Sequence, residues 1–271
     1  MTDDTQAFLK STLRNRLREK FARDEVVSSM TVRLVRSAEI ARIAKTAGFD
    51  SVYVDLEHCA FSLDDTSRIC MACLDAGVTP LVRVPANTPE YIGRVLDGGA
   101  LGIIAPHVRS AEEARAVVRA ARFQPLGDRS ANGALPHLGY RSFPARVANP
   151  AMNEATVVVL MLETVEALER VEEIVAVEGV DMLLMGTNDL TADWGIPGQY
   201  DDPRVAEAFQ RCIDACRRHG RQLGVGGLAS RPDLVQRFVQ MGARYVSTGT
   251  DLNFLLAAAT GKAQAVAALS T

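Results

Sequence analysis

The sequence predicts a single TIM (β/α)8 barrel spanning residues 1–271, and three observations carry that reading. Short apolar runs alternate with longer amphipathic stretches from about residue 27 to the C-terminus, the pattern of βα units around a parallel sheet. Eight such runs can be counted, which fits a barrel of roughly 250 residues better than a doubly wound sheet. No Gly-rich dinucleotide fingerprint follows the first run, which counts against a nucleotide-binding α/β fold.

In chain order the strands are VVSSMTV, SVYVD (51–55), PLVRV (80–84), LGIIAP (101–106), VVVLML (157–162), DMLLMG (181–186), QLGVGG (222–227) and YVSTGT (245–250). Between them SAEIARIAKTAG, LDDTSRICMACLDAG, PEYIGRVLDGG, SAEEARAVVRAAR and TVEALERVEEIVAV place apolar residues at three- and four-residue spacing and read as helices. Ser110 precedes Glu113 at capping-box spacing, and Gly48, Gly77, Gly179 and Gly242 close helices just before the next strand. Residues 5–24 read as a helix capping the barrel bottom. Residues 123–155 are too long for a tight connector and read as a functional insertion or a loop with its own short helix.

The chain sets 30 Lys+Arg against 33 Asp+Glu, a net charge of −3, which gives no positive surplus for nucleic acid. No window approaches the roughly 18 uncharged apolar residues of a membrane span. The five cysteines are an odd number, and the charged start MTDDTQAFLKSTLRNRLREKF lacks an apolar leader. Together these point to reduced thiols and a cytoplasmic protein. Cys70 and Cys73, like Cys212 and Cys216, lie within amphipathic helices and read as core packing rather than as redox or zinc motifs.

Barrel enzymes draw catalytic groups from the C-terminal ends of their strands. Applied here, that filter selects Asp55, Glu57, His58, Arg83, His107, Glu163, Asn188, Asp189, Leu228 and Asp251. Glu163 and Asp189 close very apolar strands, where a carboxylate is costly unless paired or bound to a cation. The two read as an open site for a divalent ion, or more plainly as helix-capping acids. His58 reads as a general base or a structural histidine. Arg83 reads as an oxyanion ligand, as the partner of a barrel acid such as Asp55, or as both. His107 and His137 lie at or near the mouth without an evident partner.

Taken together, GFDSVYVDLEH, PLVRVPAN, the Asp97-Gly98-Gly99-Ala100 turn before LGIIAPHV, SAEEARAVVRAARFQPLGDR, VLMLETVEAL and VEGVDMLLMGTNDLTADWG resemble the HpcH/HpaI family of class II pyruvate aldolases, from about residue 10 to 260. The resemblance implies a divalent metal, Mg²⁺, Mn²⁺, Co²⁺ or Zn²⁺, held by Glu163 and Asp189. It implies that His58 pairs with Asp97 for proton transfer and that Arg83 contacts the pyruvyl keto oxygen. It places the substrate carboxylate at the Asn188-Asp189 helix start, Leu228 against the pyruvate methyl, and Asp55 beside water and the arginine. Relatives form hexamers, trimers of dimers, in which a C-terminal helix packs on a neighbour, so the tail FLLAAATGKAQAVAAL serves either that role or as the barrel's own eighth helix. Met161, Thr187 and Asn188 depart from the family's usual residues, all on the substrate side.

The reaction implied is aldol cleavage of a 4-hydroxy-2-oxo acid to pyruvate and an aldehyde through pyruvate enolate, with the reverse addition. The partners expected are therefore a small oxo acid and an aldehyde. Alternatives are oxaloacetate decarboxylation at the same site, a coenzyme A thioester lyase, or a barrel that binds a small acid without turnover.

Overall fold

The computed structural model describes residues 3–270. Its elements run α1 (Asp3–Thr12), α2 (Arg16–Phe21), β1 (Val27–Val32), α3 (Glu39–Thr46), β2 (Ser51–Asp55), α4 (Leu63–Ala76), β3 (Thr79–Arg83), α5 (Pro89–Asp97), β4 (Gly102–Ala105) and α6 (Ala111–Ala121). They continue with α7 (Ala145–Ala155), β5 (Val157–Leu162), α8 (Val165–Glu169), α9 (Val171–Val175), β6 (Met182–Gly186), α10 (Thr187–Asp193), α11 (Pro203–Arg218), β7 (Gln222–Gly226), α12 (Pro232–Met241), β8 (Tyr245–Thr250) and α13 (Asp251–Ala267). The strands form a closed parallel barrel in sequence order, β1 to β8, with β8 pairing back to β1. The TIM barrel is therefore the observed fold.

Two layers of core follow from the strand period of two. Inward residues such as Tyr53, Leu81, Ile104, Val159, Met182, Leu184 and Tyr245 fill the barrel. Outward residues such as Val54, Ile103, Leu160 and Val225 pack against the helices in a larger shell. The C-x-x-C thiols belong to that shell: Cys70 and Cys73 are fully buried, and burial pushes the Cys73 thiol up to about 12, out of the range of a reactive thiolate.

The N-terminal segment differs from the expectation of one helix over residues 5–24. The chain breaks before Asn15, whose side chain leaves the helical pattern to accept from the Leu17 N–H and to donate to the Ala155 carbonyl at 2.8 Å. Only α2 closes the barrel bottom, with Leu17 inserted among the inward residues. The segment α1 instead leans on residues 123–155, where Phe8 and Phe143 stack 5.5 Å apart. That long stretch carries its own helix, α7, and a 3₁₀ turn at Pro136–Leu138. The pattern TVEALERVEEIVAV likewise splits, into α8 and α9, at Arg170, whose φ of −100° and ψ of 13° leave the helical region.

No helix is long and apolar enough to cross a membrane among the described residues. Beyond Asp251, α13 is exposed along its length, including Leu255 at 60% and Leu256 at 61%. It does not cover the barrel of its own chain as an eighth helix.

Candidate active site

At the C-terminal ends of the strands lies a cavity of about 550 Å³, lined from β1 round to β8 and including Arg33, His58, Arg83, Met161, Asn188 and Asp189. Asp55 anchors one wall. It ends β2 in register with Arg83 at the end of β3, so their side chains share one face of the barrel. Arg83 grips it with two parallel hydrogen bonds, Nε to Oδ1 at 2.9 Å and Nη2 to Oδ2 at 2.6 Å. Arg33 adds a third from Nε to Oδ2 at 2.6 Å. The Glu57 and His58 backbone N–H groups donate to Oδ1 at 3.1 and 3.3 Å. Burial alone would raise the Asp55 carboxyl, but the Arg83 hydrogen bonds and charge, with those of Arg33, hold it below the usual carboxylate range.

The polar contacts continue round the mouth. Arg83 Nη1 stands 2.6 Å from Glu57 Oε2, and Glu57 Oε1 lies 2.7 Å from His107 Nε2. His107 follows β4 with a left-handed φ of 56°. That backbone turn aims its N–H at Glu163 Oε1, 3.1 Å away. Glu163 follows β5, is 2% exposed, and fits only because position 186 is glycine: a Cβ there would stand 2.6 Å from Glu163 Cγ. Asp189 follows β6 in the first turn of α10.

Burial pushes the Glu163 carboxyl up to about 7, with the Asp189 carboxylate adding to the shift and the His107 N–H opposing it. Among the described residues, no lysine or arginine pairs with either acid. Such a pair of adjacent acids suits a divalent cation, which would replace the missing positive charge. No cluster of three or more His, Cys, Asp or Glu ligands occurs among the described residues. A cation here would therefore complete its shell with water or substrate oxygens, as an open catalytic site requires.

The other selected positions separate into two groups. His58 is half-exposed at the cavity, its Nε2 3.7 Å from Glu57 Oε2, and Asn188 lines the wall with its amide oxygen accepting from Tyr200 at 2.5 Å. Asp97 does not join them. It ends α5, which runs from the mouth back to the barrel bottom, and pairs with Arg129 at 2.6 Å. The expected His58–Asp97 pair is therefore not formed within one chain. Leu228 is also displaced from its expected place: Gly227, at φ of 79°, turns the chain, so Leu228 is 1% exposed in the outer shell while Ala229 lines the cavity. His137 is buried away from the mouth with Nε2 2.9 Å from the Ala100 carbonyl, and Asp251 clamps the N–H groups of Arg33, Leu34 and Val35. Arg33 and Tyr200 were not singled out from sequence; the strand-end filter applied to β1 reaches Arg33.

A profile of the HpcH/HpaI aldolase/citrate lyase family matches residues 31–258. The chain is 40% identical over 258 residues to a 4-hydroxy-4-methyl-2-oxoglutarate aldolase of Hapsidospora irregularis, covering 94% of this chain and 96% of that one. It is 33% identical over 219 residues to a 4-hydroxy-2-oxo-heptane-1,7-dioate aldolase of Klebsiella pneumoniae, covering 81% of this chain and 82% of that one. A crystal structure of an HpcH/HpaI aldolase from Desulfitobacterium hafniense superposes with a TM-score of 0.87 at 30% identity, covering 92% of this chain and 96% of that one.

Proposed function

The chain belongs to the HpcH/HpaI aldolase/citrate lyase family, and on that premise we propose that it is a metal-dependent class II aldehyde-lyase that cleaves a 4-hydroxy-2-oxo acid to pyruvate and an aldehyde, and runs the reverse addition. The observation that carries the reading is the Glu163 and Asp189 pair, two acids at one barrel mouth with no lysine or arginine set against them among the described residues. These two residues would hold Mg²⁺, Mn²⁺, Co²⁺ or Zn²⁺. Bound there, the cation supplies positive charge for the oxygens of the 2-oxo acid.

The remaining roles fall to the chain's own groups. Asp55 fixes Nε and Nη2 of Arg83, so Arg83 is held rigidly at the cavity for the keto oxygen, where negative charge grows as the enolate forms. The backbone at Asn188 and Asp189, at the start of α10, receives the substrate carboxylate. His58, beside Glu57 rather than Asp97, takes the 4-hydroxyl proton through water. The C3–C4 bond then breaks, the hydroxyl carbon leaves as the aldehyde carbonyl, and the bonding pair remains on pyruvate as the enolate, which a proton at C3 quenches. A His58–Asp97 pair is possible only between copies of the chain. A homo-oligomer fits the apolar, uncovered α13, and the hexamer of relatives is the arrangement we propose.

Exchange of the pyruvate C3 protons for deuterium, followed by NMR, tests the enolate directly. We expect exchange with Mn²⁺ or Mg²⁺, its loss after chelation, and its loss by at least about 100-fold in Glu163→Ala. No exchange with any of the four metals would overturn the aldolase reading.

A further inference from the structure

The proposed reaction leaves one of the strand-end acids, Asp251, without a part. It follows β8 and is 6% exposed. Its carboxylate accepts the Leu252 N–H at 2.9 Å, as an acid in the first turn of a helix does, but its other contacts lie beyond a different strand. The Arg33 N–H donates to Oδ1 at 2.9 Å, the Leu34 N–H to Oδ2 at 3.0 Å and the Val35 N–H to Oδ2 at 2.7 Å. Three successive N–H groups converging on one carboxylate fix the turn that leaves β1.

That turn decides where Arg33 stands. The register of β1 and β2 pairs Val32 with Val54, so the next residues, Arg33 and Asp55, fall side by side, and Arg33 Nε donates to Asp55 Oδ2 at 2.6 Å. Arg33 is thereby the second cation of a four-residue charge cluster. Arg83 is shared between two carboxylates, Asp55 through Nε and Nη2 and Glu57 through Nη1, which leaves one negative charge over, and Arg33 cancels it. The Asp55 side chain is fully buried and that of Glu57 is 12% exposed, so water screens little of that charge. Both arginines line the cavity. Were Arg33 to swing away, an uncompensated carboxylate would stand behind Arg83 and oppose the negative charge that grows on the keto oxygen.

We infer that Asp251 is a positioning residue of the active site: by clamping residues 33–35 it keeps Arg33 on Asp55, and the neutral cluster lets Arg83 favour the enolate over the ketone. The inference rests on the aldolase reading for the charge that Arg83 meets. Asp251 does not itself line the cavity, so its effect passes through Arg33.

Calorimetric binding to the Mg²⁺-loaded protein tests this, with oxalate, a planar dianion shaped like pyruvate enolate, set against pyruvate. Wild type should bind oxalate about 100-fold more tightly than pyruvate. Arg33→Gln and Asp251→Asn should each lower oxalate affinity about tenfold and pyruvate affinity by less than about threefold, narrowing the preference. The double variant should bind oxalate no more weakly than Arg33→Gln, because a residue that acts through Arg33 has no effect once Arg33 is gone. An Asp251 that serves only α13 would lower the denaturation midpoint and leave the preference at its wild-type value, which overturns the inference, as do losses that multiply in the double variant. An unchanged preference in Arg33→Gln, or equal binding of the two ligands by the wild type, overturns it without any Asp251 variant having to fold. Pyruvate deuterium exchange by the wild type keeps the two readings apart. Exchange with an unaltered preference in both variants keeps the aldolase and removes the Asp251 role. A preference lost jointly in both variants, without exchange, keeps Asp251 and Arg33 as a unit and removes the aldolase.

Discussion

Asp50 at the barrel bottom and Glu163 at its mouth are equally buried, 3% and 2% exposed, yet their carboxyls shift in opposite directions. Burial raises both. At Asp50 the hydrogen bond and charge of Lys20, the Ser28 N–H and Arg16 overcome it and hold the group below its ordinary value. At Glu163 one backbone N–H opposes burial while Asp189 reinforces it, and the group rises to about 7. The bottom is a closed polar network in which Asp50 meets cations from α2, and Asp181 meets Arg18 of α2 and Arg122 just past the end of α6. At the mouth, Glu163 and Asp189 meet no lysine or arginine among the described residues, and Glu163 is held by the His107 N–H alone. Charge that is satisfied serves the fold, and charge that is left over is available to a ligand.

The largest expected effect breaks the closed end. Asp181 accepts from Arg18 at 2.8 Å, from Arg122 at 2.5 Å and from the Val158 N–H at 2.7 Å. Arg122 is 3% exposed, so Asp181→Ala strands a buried guanidinium. Loss of about 3–5 kcal/mol in chemical denaturation is expected. Pyruvate exchange per folded molecule should stay near the wild-type rate, because the mouth is built from other residues. A loss of under 1 kcal/mol would show that the bottom is no better satisfied than the top.

The second effect follows from the open end. Glu163 has a folded pKa of about 7 against an ordinary 4.5, so its contribution to stability is fully present below pH 4.5 and is lost as pH rises through about 7. Metal-free protein in chelator should therefore lose stability across that window, by an amount on the order of 3 kcal/mol, and Glu163→Gln should flatten the slope. Saturating Mg²⁺ should reverse the sign, because the cation binds the ionised form. Denaturation curves at several pH values check both, and an unchanged slope in Glu163→Gln would assign the window to another group.

How far this contrast could be read in advance depends on what each residue answers to. The eight strands were legible because a short, continuous apolar run between amphipathic stretches has no stable alternative to a strand buried on both faces. The strand-end filter found Asp55, Arg83, Glu163 and Asp189 because a charge at the end of a greasy strand has few places to go. The break before Asn15 was not legible, since RNRLREKF reads as helix until Asn15 is seen to cap it from the side. The Asp97 pairing and the Leu228 contact with the methyl were placed by resemblance, and those side-chain directions depend on the course of α5 and on the turn at Gly227, which no spacing rule supplies. The role of His107 depends on a backbone φ of 56°, invisible in the letters.

His107 is the link between the satisfied and the unsatisfied halves of the mouth, and it yields the smallest predicted effect. Its ring meets Glu57 at 2.7 Å and its N–H holds Glu163 at 3.1 Å, so it connects the Asp55, Arg83 and Glu57 network to the acids proposed to bind metal. Removing the ring in His107→Ala leaves the N–H but frees the loop that aims it, and a left-handed φ is less favourable for alanine than for the residue it replaces. Mn²⁺ affinity measured by calorimetry should fall about tenfold, the size of effect seen when outer partners of metal ligands are lost. The change His107→Gly, which tolerates the φ but also lacks the ring, divides the effect. Affinity recovered by glycine assigns the role to the backbone turn, and affinity lost equally in both assigns it to the Glu57 contact.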